Sequence, residues 1–156
     1  SRFVGDGLVR NFIGGEWVEG DGGRRIAVED PGNGMHVADC ALAGEASLDR
    51  ALAAARTSFE RGALAGLKPG ARAALLMRIW RVLRRAKIDA EDGAELLCRE
   101  SGKTLAASHE EFEEAAQYFE YYGGAADKIE GKSIPLGPDY VDYTIYEPYG
   151  VSAQIV

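Results

Sequence analysis

The sequence predicts an α/β fold in which short strands precede about four helices and further strands follow them. Turn-forming residues separate short β-favouring segments near the N-terminus, and apolar residues then recur at helical spacing through the middle of the chain. The last residues, 150–156, form an apolar run without a turn or polar tail. Such a run is typical of a strand buried in a parallel sheet, which requires neighbouring strands and covering helices.

Two β-hairpins are predicted before the first helix. Gly14-Gly15 separates Phe12-Ile13 from Trp17-Val18, and paired glycines permit the positive φ angles of a tight hairpin turn. Residues 25–28 and 36–41 are also β-favouring and are joined by a segment of proline, glycine and asparagine. The N-terminal part should therefore consist of short antiparallel strands.

Four helices are predicted next from apolar stripes at helical spacing and from their end signals. Ser47 is a candidate N-cap for the first helix, and Gly62 is placed to end it. The second helix is predicted to begin at Pro69 and to carry its apolar stripe to Ala86. The third spans Asp89 to Arg99 and stops at Ser101-Gly102, and the fourth runs from Leu105 toward Gly123-Gly124.

Strands are expected to return after the helices. The segment Tyr140–Glu147 is rich in aromatic and β-favouring residues and is followed by Pro148, which suits an edge strand. Residues 131–138 are the best candidate for a connection between subdomains.

The amino-acid composition argues against several classes of partner and site but does not indicate a specific activity. The net charge of −7 argues against nucleic-acid and anionic-membrane partners, because 25 acidic residues outnumber 18 basic ones. The two cysteines, Cys40 and Cys98, are far apart and lack metal-ligand spacing, and both are expected to pack structurally. Without a signal-peptide pattern or a long apolar run, we expect a cytoplasmic protein.

Seven short segments occur in an order that resembles the start of the NAD(P)-dependent aldehyde dehydrogenases. No one of them is specific, but together they span nearly the whole chain. They are residues 12–17, 30–31, 51–59, 100–103, 121–122, 131–135 and 147–151. The resemblance covers about the first third of such an enzyme.

The resemblance assigns a domain role to each part of the chain. It implies that residues 1–136 belong to the cofactor-binding domain, with its β-hairpins and four helices. Residues 137–149 would then be a strand of the oligomerisation arm. Residues 150–156 would be the first central nucleotide-binding strand, truncated here.

The resemblance also implies an activity for the intact protein. Members of the family oxidise an aldehyde to a carboxylic acid with NAD or NADP, through a thiohemiacetal and a thioester on a cysteine. That cysteine would lie outside this chain, so no catalytic residue is assigned here. The implied partners are a small aldehyde, the remainder of the enzyme, and further copies in a homodimer or homotetramer. Two alternatives stay open: a noncatalytic fragment acting in subunit assembly or regulation, and a semialdehyde or acyl-phosphate reductase of the same superfamily.

Two sets of binding residues follow from the same resemblance. Main-chain atoms of Ile155 and Val156 match the strand end beside the nucleotide, and their side chains can serve the core as well. Glu100, with main-chain oxygens near Val28 and Glu29, matches a site that holds a monovalent cation, K⁺ or Na⁺, in some members. The alternative for Glu100 is a solvated charge at the end of a helix.

The third set is an acidic pair on the fourth predicted helix. Glu111 and Glu114 are three residues apart, so they share a helix face. They stand where relatives acting on aminoaldehydes carry paired acids near the substrate entrance. This predicts a preference for aminoaldehydes or betaine aldehyde; the alternative is an ordinary hydrated surface.

Overall fold

The computed structural model of the protein describes residues 6–88 and 91–155. Within these ranges the strands are β1 (Leu8–Val9), β2 (Asn11–Ile13), β3 (Glu16–Val18), β4 (Arg25–Glu29), β5 (His36–Ala41), β6 (Ser133–Ile134) and β7 (Asp142–Tyr143). The helices are α1 (Glu45–Glu60), α2 (Pro69–Ile88), α3 (Glu91–Ser101) and α4 (Leu105–Ala125). The predicted mixture of small sheets and four helices is confirmed, while Asp89, the predicted start of the third helix, lies outside the described residues.

Both predicted N-terminal hairpins are present. In the first, β2 pairs antiparallel with β3, and Phe12 stands opposite Trp17 with their ring centroids 4.9 Å apart. Gly14 and Gly15 make the turn with φ angles of 64° and 94°, which L-residues with side chains rarely adopt. In the second, β4 pairs antiparallel with β5.

The sheet that contains the second hairpin has a third strand that the sequence did not indicate. Its order is β1-β5-β4, and β1 runs parallel to β5. A two-residue strand carries no alternating pattern, so its pairing depends on the position of β5 rather than on a local signal.

Helix α1 begins two residues before the predicted cap, so the assignment of Ser47 as N-cap was wrong. Gly44 occupies the cap position and makes no side-chain cap hydrogen bond. Asp21, from a short 3-10 helix, supplies the carboxylate instead. It accepts hydrogen bonds of 2.8 Å from both the main-chain N–H and the hydroxyl of the fully buried Ser47. A carboxylate is favourable there because the N–H groups of the first helical turn lack partners within the helix.

Helices α2 and α4 pack closely against one another and α3 packs beside α4, forming the helical layer that carries the candidate site. Gly123 of α4 is buried, and a Cβ added to it would lie 3.1 Å from the sulfur of Met77 on α2. At the other end of α4, the Thr104 hydroxyl caps the helix by accepting a hydrogen bond from the Ala107 N–H.

The C-terminal part is less regular than predicted. Only residues 142–143 of the expected strand Tyr140–Glu147 are paired, with β6 in a two-stranded antiparallel sheet. Residues 150–155 form no strand. A strand is assigned by its hydrogen-bonded pairing, and no strand among the described residues pairs with this segment, so its role as a central strand stays a prediction.

Across the described ranges, no helix combines the length and apolar character that crossing a bilayer demands.

Candidate functional site

One face of α4 forms a cleft that combines a carboxylate with aromatic rings. Its volume is about 430 Å³. The lining residues are Glu114, Gln117, Tyr118, Tyr121 and Tyr122. Their spacing of three, four, seven and eight residues from Glu114 places them on one side of an α-helix, so the sequence period alone brings them together.

The chemistry of this cleft suits an organic cation. Glu114 is exposed and has no ion pair or hydrogen bond to any other residue that the structure describes. The three tyrosines are also largely exposed, and the rings of Tyr121 and Tyr122 meet edge to face with centroids 5.2 Å apart. A carboxylate contributes charge attraction, and the negative faces of aromatic rings attract cations as well.

Glu111, the other predicted substrate-entrance acid, does not line this cleft. Its carboxylate forms an ion pair with the ammonium group of Lys103, in the short connection between α3 and α4. The structure therefore gives the two predicted acids different surroundings: Glu111 is paired with a lysine, and Glu114 lines a cleft with tyrosines.

A second cleft, of about 330 Å³, lies between the first sheet and α3. It brings together two of the three residues predicted to hold a cation, because Val28 and Glu100 both line it, whereas Glu29 does not. The rest of its wall is almost entirely apolar: Val9, Val37, Ala38, Cys40, Gly93, Leu96, Leu97 and Phe112.

This donor set gives limited support to a cation site. Glu100 is the only charged side chain in the wall, and among the described residues no three acidic, histidine or cysteine side chains are grouped to hold a metal ion. A hard monovalent cation bound here would need main-chain oxygens for most of its ligands. The predicted role of Glu100 stays a prediction.

The predicted cofactor contacts, Ile155 and Val156, stay a prediction. Ile155 is fully exposed, belongs to no strand and lines neither cleft, and Val156 lies outside the described residues. The surroundings of Ile155 therefore do not by themselves hold a dinucleotide.

Neither cysteine has the surroundings of a nucleophile. The thiol of Cys98 donates a hydrogen bond to the main-chain oxygen of Lys103 at 3.0 Å, and Cys40 lies in the apolar wall of the second cleft. Neither contact supplies the cation that would stabilise a thiolate.

Glu114 was predicted from the sequence as a site residue, whereas the tyrosines that line the cleft with it and the lysine paired with Glu111 were not. The spacing of Glu114, Tyr118 and Tyr121 was a usable signal, since residues four and seven apart share a helix face. The pairing of Lys103 with Glu111 depends on how the chain enters α4, which no local pattern reports.

Comparison with known proteins identifies the family. The family model described as "Aldehyde dehydrogenase family" matches residues 17–156. An aldehyde dehydrogenase from Aspergillus niger is 35% identical over 145 residues, covering 93% of this chain and 28% of that protein. A betaine aldehyde dehydrogenase from Bacillus subtilis strain 168 is 35% identical over 146 residues, covering 92% of this chain and 29% of that protein.

Solved structures agree with these matches. The NAD⁺ complex of an aldehyde dehydrogenase from Bacillus cereus matches with a TM-score of 0.82 and 30% identity, over 90% of this chain and 28% of that one. The chain thus spans less than a third of the length of these relatives. Because the family model matches most of its residues, the chain belongs to the aldehyde dehydrogenase family.

Proposed function

We propose that this chain is the N-terminal part of an NAD(P)-dependent aldehyde dehydrogenase whose substrate carries a positive charge, as in an aminoaldehyde or betaine aldehyde. The observation that carries the charge preference is the cleft in which Glu114 faces Tyr118, Tyr121 and Tyr122. The similarity to a betaine aldehyde dehydrogenase supports the same substrate class.

The reaction itself requires groups beyond this chain. Oxidation of an aldehyde to an acid in this family uses a cysteine thiolate, and NAD or NADP accepts the hydride. Dinucleotide use is supported by the solved relatives described as NAD⁺ complexes. The contribution we assign to the described residues is substrate attraction and orientation.

Charge and aromatic surface both favour a cationic aldehyde. The net charge of −7 raises the local concentration of cations near the protein, and this effect weakens as salt screens it. At short range, Glu114 and the tyrosines would hold the ammonium end and leave the aldehyde end free to reach the catalytic thiolate.

We also propose an oligomeric state, a cellular location and a bound cation. We propose a homodimer or homotetramer in the cytoplasm, with residues 137–149 contributing to the oligomerisation arm and residues 150–156 to the nucleotide-binding sheet. A monovalent cation, K⁺ or Na⁺, is proposed near Glu100.

Steady-state kinetics of the full-length protein tests the proposed function. NAD(P)H formation should be supported by betaine aldehyde or an aminoaldehyde at a lower KM than by a neutral aldehyde of the same length. The double variant Glu111→Gln/Glu114→Gln should raise KM for the cationic aldehydes about fivefold, corresponding to about 1 kcal/mol of lost attraction. KM for the neutral aldehyde should stay unchanged.

Three outcomes would contradict the proposal. Absence of any aldehyde-dependent NAD(P)H formation would remove the activity, and production of aldehyde from an acyl phosphate would point to the reductase alternative. Equal KM changes for charged and neutral aldehydes would remove the charge preference.

A further inference from the structure

We propose that Asn33-Gly34, in the turn between β4 and β5, is a site of spontaneous deamidation, and that Asp30 slows the reaction for as long as it holds the turn together. The β4–β5 turn comprises residues 30–35, of which 31–35 are exposed to water. Asparagine is thermolabile, and a glycine that follows it leaves the main-chain nitrogen without a side chain to obstruct it. A Cβ built at Gly34 would meet nothing within 4 Å, so water has free access to this pair.

Deamidation at this position needs no reagent other than water. The main-chain nitrogen of Gly34 attacks the side-chain carbonyl carbon of Asn33. A C–N bond forms, the attacking nitrogen loses its proton, and ammonia leaves to give a cyclic imide. Water then opens the imide: cleavage of the bond from nitrogen to the side-chain carbonyl gives aspartate, and cleavage of the bond to the main-chain carbonyl gives isoaspartate. In both products a carboxylate has replaced a neutral amide, which changes the local electrostatics.

Asp30 holds both reacting groups in positions unsuited to this attack. The side-chain amide of Asn33 donates a hydrogen bond of 3.2 Å to Oδ2 of Asp30, and the N–H of Gly34 donates one of 2.7 Å to the Asp30 main-chain oxygen. The Asn33 side-chain oxygen also accepts a hydrogen bond of 2.8 Å from the N–H of Met35. Because these bonds must break before the nitrogen can reach the carbonyl carbon, the reaction rate follows local opening of the turn.

The carboxylate of Asp30 uses one oxygen for each of two partners in the turn. Its Oδ1 accepts a hydrogen bond of 2.8 Å from the Gly32 N–H, while its Oδ2 accepts the bond from Asn33. The Asp30 N–H donates in turn to the main-chain oxygen of Met35 at 2.8 Å, which closes the turn. An amide at position 30 has a single oxygen, so it could serve Gly32 or Asn33 but not both.

The product of deamidation lacks the contact that restrained Asn33. A carboxylate at position 33 cannot donate to Asp30, and it places a second negative charge where the amide nitrogen lies 3.2 Å from Oδ2. Like charges this close repel one another, and salt weakens the repulsion because the site is exposed. The modification should therefore destabilise the hairpin whose strands carry Val28 and Val37 of the second cleft.

Peptide mapping by mass spectrometry measures the rate of deamidation at Asn33 in the full-length protein, incubated in mildly alkaline buffer. The rate should be on the order of a hundredfold lower than in a synthetic peptide of residues 28–38, because several hydrogen bonds must break in the folded turn. Asp30→Ala should raise the rate in the protein about tenfold. Asp30→Asn keeps the side-chain shape and one acceptor oxygen, and should raise the rate about threefold.

Matched controls separate the hydrogen bonds of Asp30 from its charge. Glu29→Gln removes the neighbouring exposed acid and leaves Asp30 in place, so the rate at Asn33 should not change. Asn11, the other asparagine of the chain, precedes Phe12 instead of a glycine and should stay intact in every sample.

Two substitutions at position 33 test the effect of the product. Asn33→Ser removes the amide without adding charge, whereas Asn33→Asp adds the carboxylate. The thermal midpoint should fall further for Asn33→Asp, and added salt should reduce the difference between the two variants.

The outcomes decide the inference without any measurement of activity. An intact Asn33 in the peptide, equal rates in the peptide and the parent protein, or an unchanged rate in both Asp30 variants would overturn it. If the thermal midpoint shows that Asp30→Ala is unfolded, Asp30→Asn decides the role of Asp30. A midpoint for Asn33→Asp no lower than that for Asn33→Ser would overturn the effect assigned to the product. Aldehyde oxidation enters none of these measurements, so failure of the proposed function would leave this inference unaffected.

Discussion

At the scale of single residues, the surface ion pair between Asp6 and Arg10 has the clearest electrostatic consequence. The two Arg10 terminal nitrogens donate hydrogen bonds of 3.2 and 2.7 Å to the two carboxylate oxygens, and the Leu8 N–H donates a third of 3.2 Å. Arg10, and secondarily Leu8, lower the pKa of Asp6 from its ordinary value to about 2. The pair is exposed, so its interest lies in its titration rather than in a large contribution to stability.

Arg10→Gln should therefore raise the pKa of Asp6 toward the value of an ordinary aspartate. The measurement is a pH titration of the Asp6 carboxyl resonance by NMR, in the parent and variant proteins. Because the folded-state pKa is depressed, the stabilisation linked to Asp6 is complete above the unfolded-state pKa and is lost as pH falls through about 2. The Arg10→Gln variant should lose this pH-dependent stabilisation. An unchanged Asp6 titration would show that the Leu8 N–H, and not the guanidinium, controls it.

At the scale of elements, the parts recovered from sequence are those whose causes are local. Gly14-Gly15 required a turn, and the apolar stripes of α2 and α4 required helices, so these elements are where they were expected. The cap of α1 was missed because its carboxylate, Asp21, stands 26 residues before Ser47 in sequence. Long-range capping leaves no pattern near the helix it stabilises.

The same distinction applies to the candidate site. Glu114 and its tyrosines share a helix face by spacing alone, and could have been found from the sequence. The ion pair of Glu111 required Lys103 to lie at a defined turn between two helices, and the shared cleft of Val28 and Glu100 required β4 to pack near α3. Those relations arise from tertiary packing.

The contact between α2 and α4 makes a prediction about adjacent glycines. A Cβ at Gly123 would lie 3.1 and 3.3 Å from atoms of the Met77 side chain and 3.5 Å from the Leu76 Cβ, whereas a Cβ at Gly124 meets nothing within 4 Å. Gly123→Val should destabilise the protein by about 1–3 kcal/mol through overpacking. Gly124→Ala should stabilise it by up to about 1 kcal/mol, because alanine favours the helix.

Thermal or urea unfolding of the full-length protein measures the change in unfolding free energy for each of the two variants. Gly124, on the same turn of α4 but without a close neighbour, serves as the control for Gly123. Similar effects at the two sites would show that helix propensity outweighs packing here. A neutral Gly123→Val would show that Met77 moves aside at little cost.

At the scale of the whole molecule, the chain exposes more surface than its mass requires. Its accessible area is 11,879 Å², whereas a folded monomer of 16.8 kDa would expose about 7,700 Å². Much of the apolar part lies in the C-terminal region, where large side chains are exposed at Val141, Tyr146, Tyr149 and Ile155. A two-stranded sheet such as β6–β7 gains little stability alone. These residues therefore offer a surface that partner segments could cover.

The isolated 156-residue chain should accordingly behave differently from the full-length protein. Contiguous exposed apolar groups bind hydrophobic dyes and promote association, because burying them removes apolar area from water. We expect the isolated chain to enhance the fluorescence of an anilinonaphthalene dye and to elute as associated species in size-exclusion chromatography with light scattering. The full-length protein should bind little dye and form a discrete dimer or tetramer. A monomeric isolated chain that unfolds cooperatively and ignores the dye would show that this surface needs no cover, and would favour the noncatalytic module over the enzyme fragment.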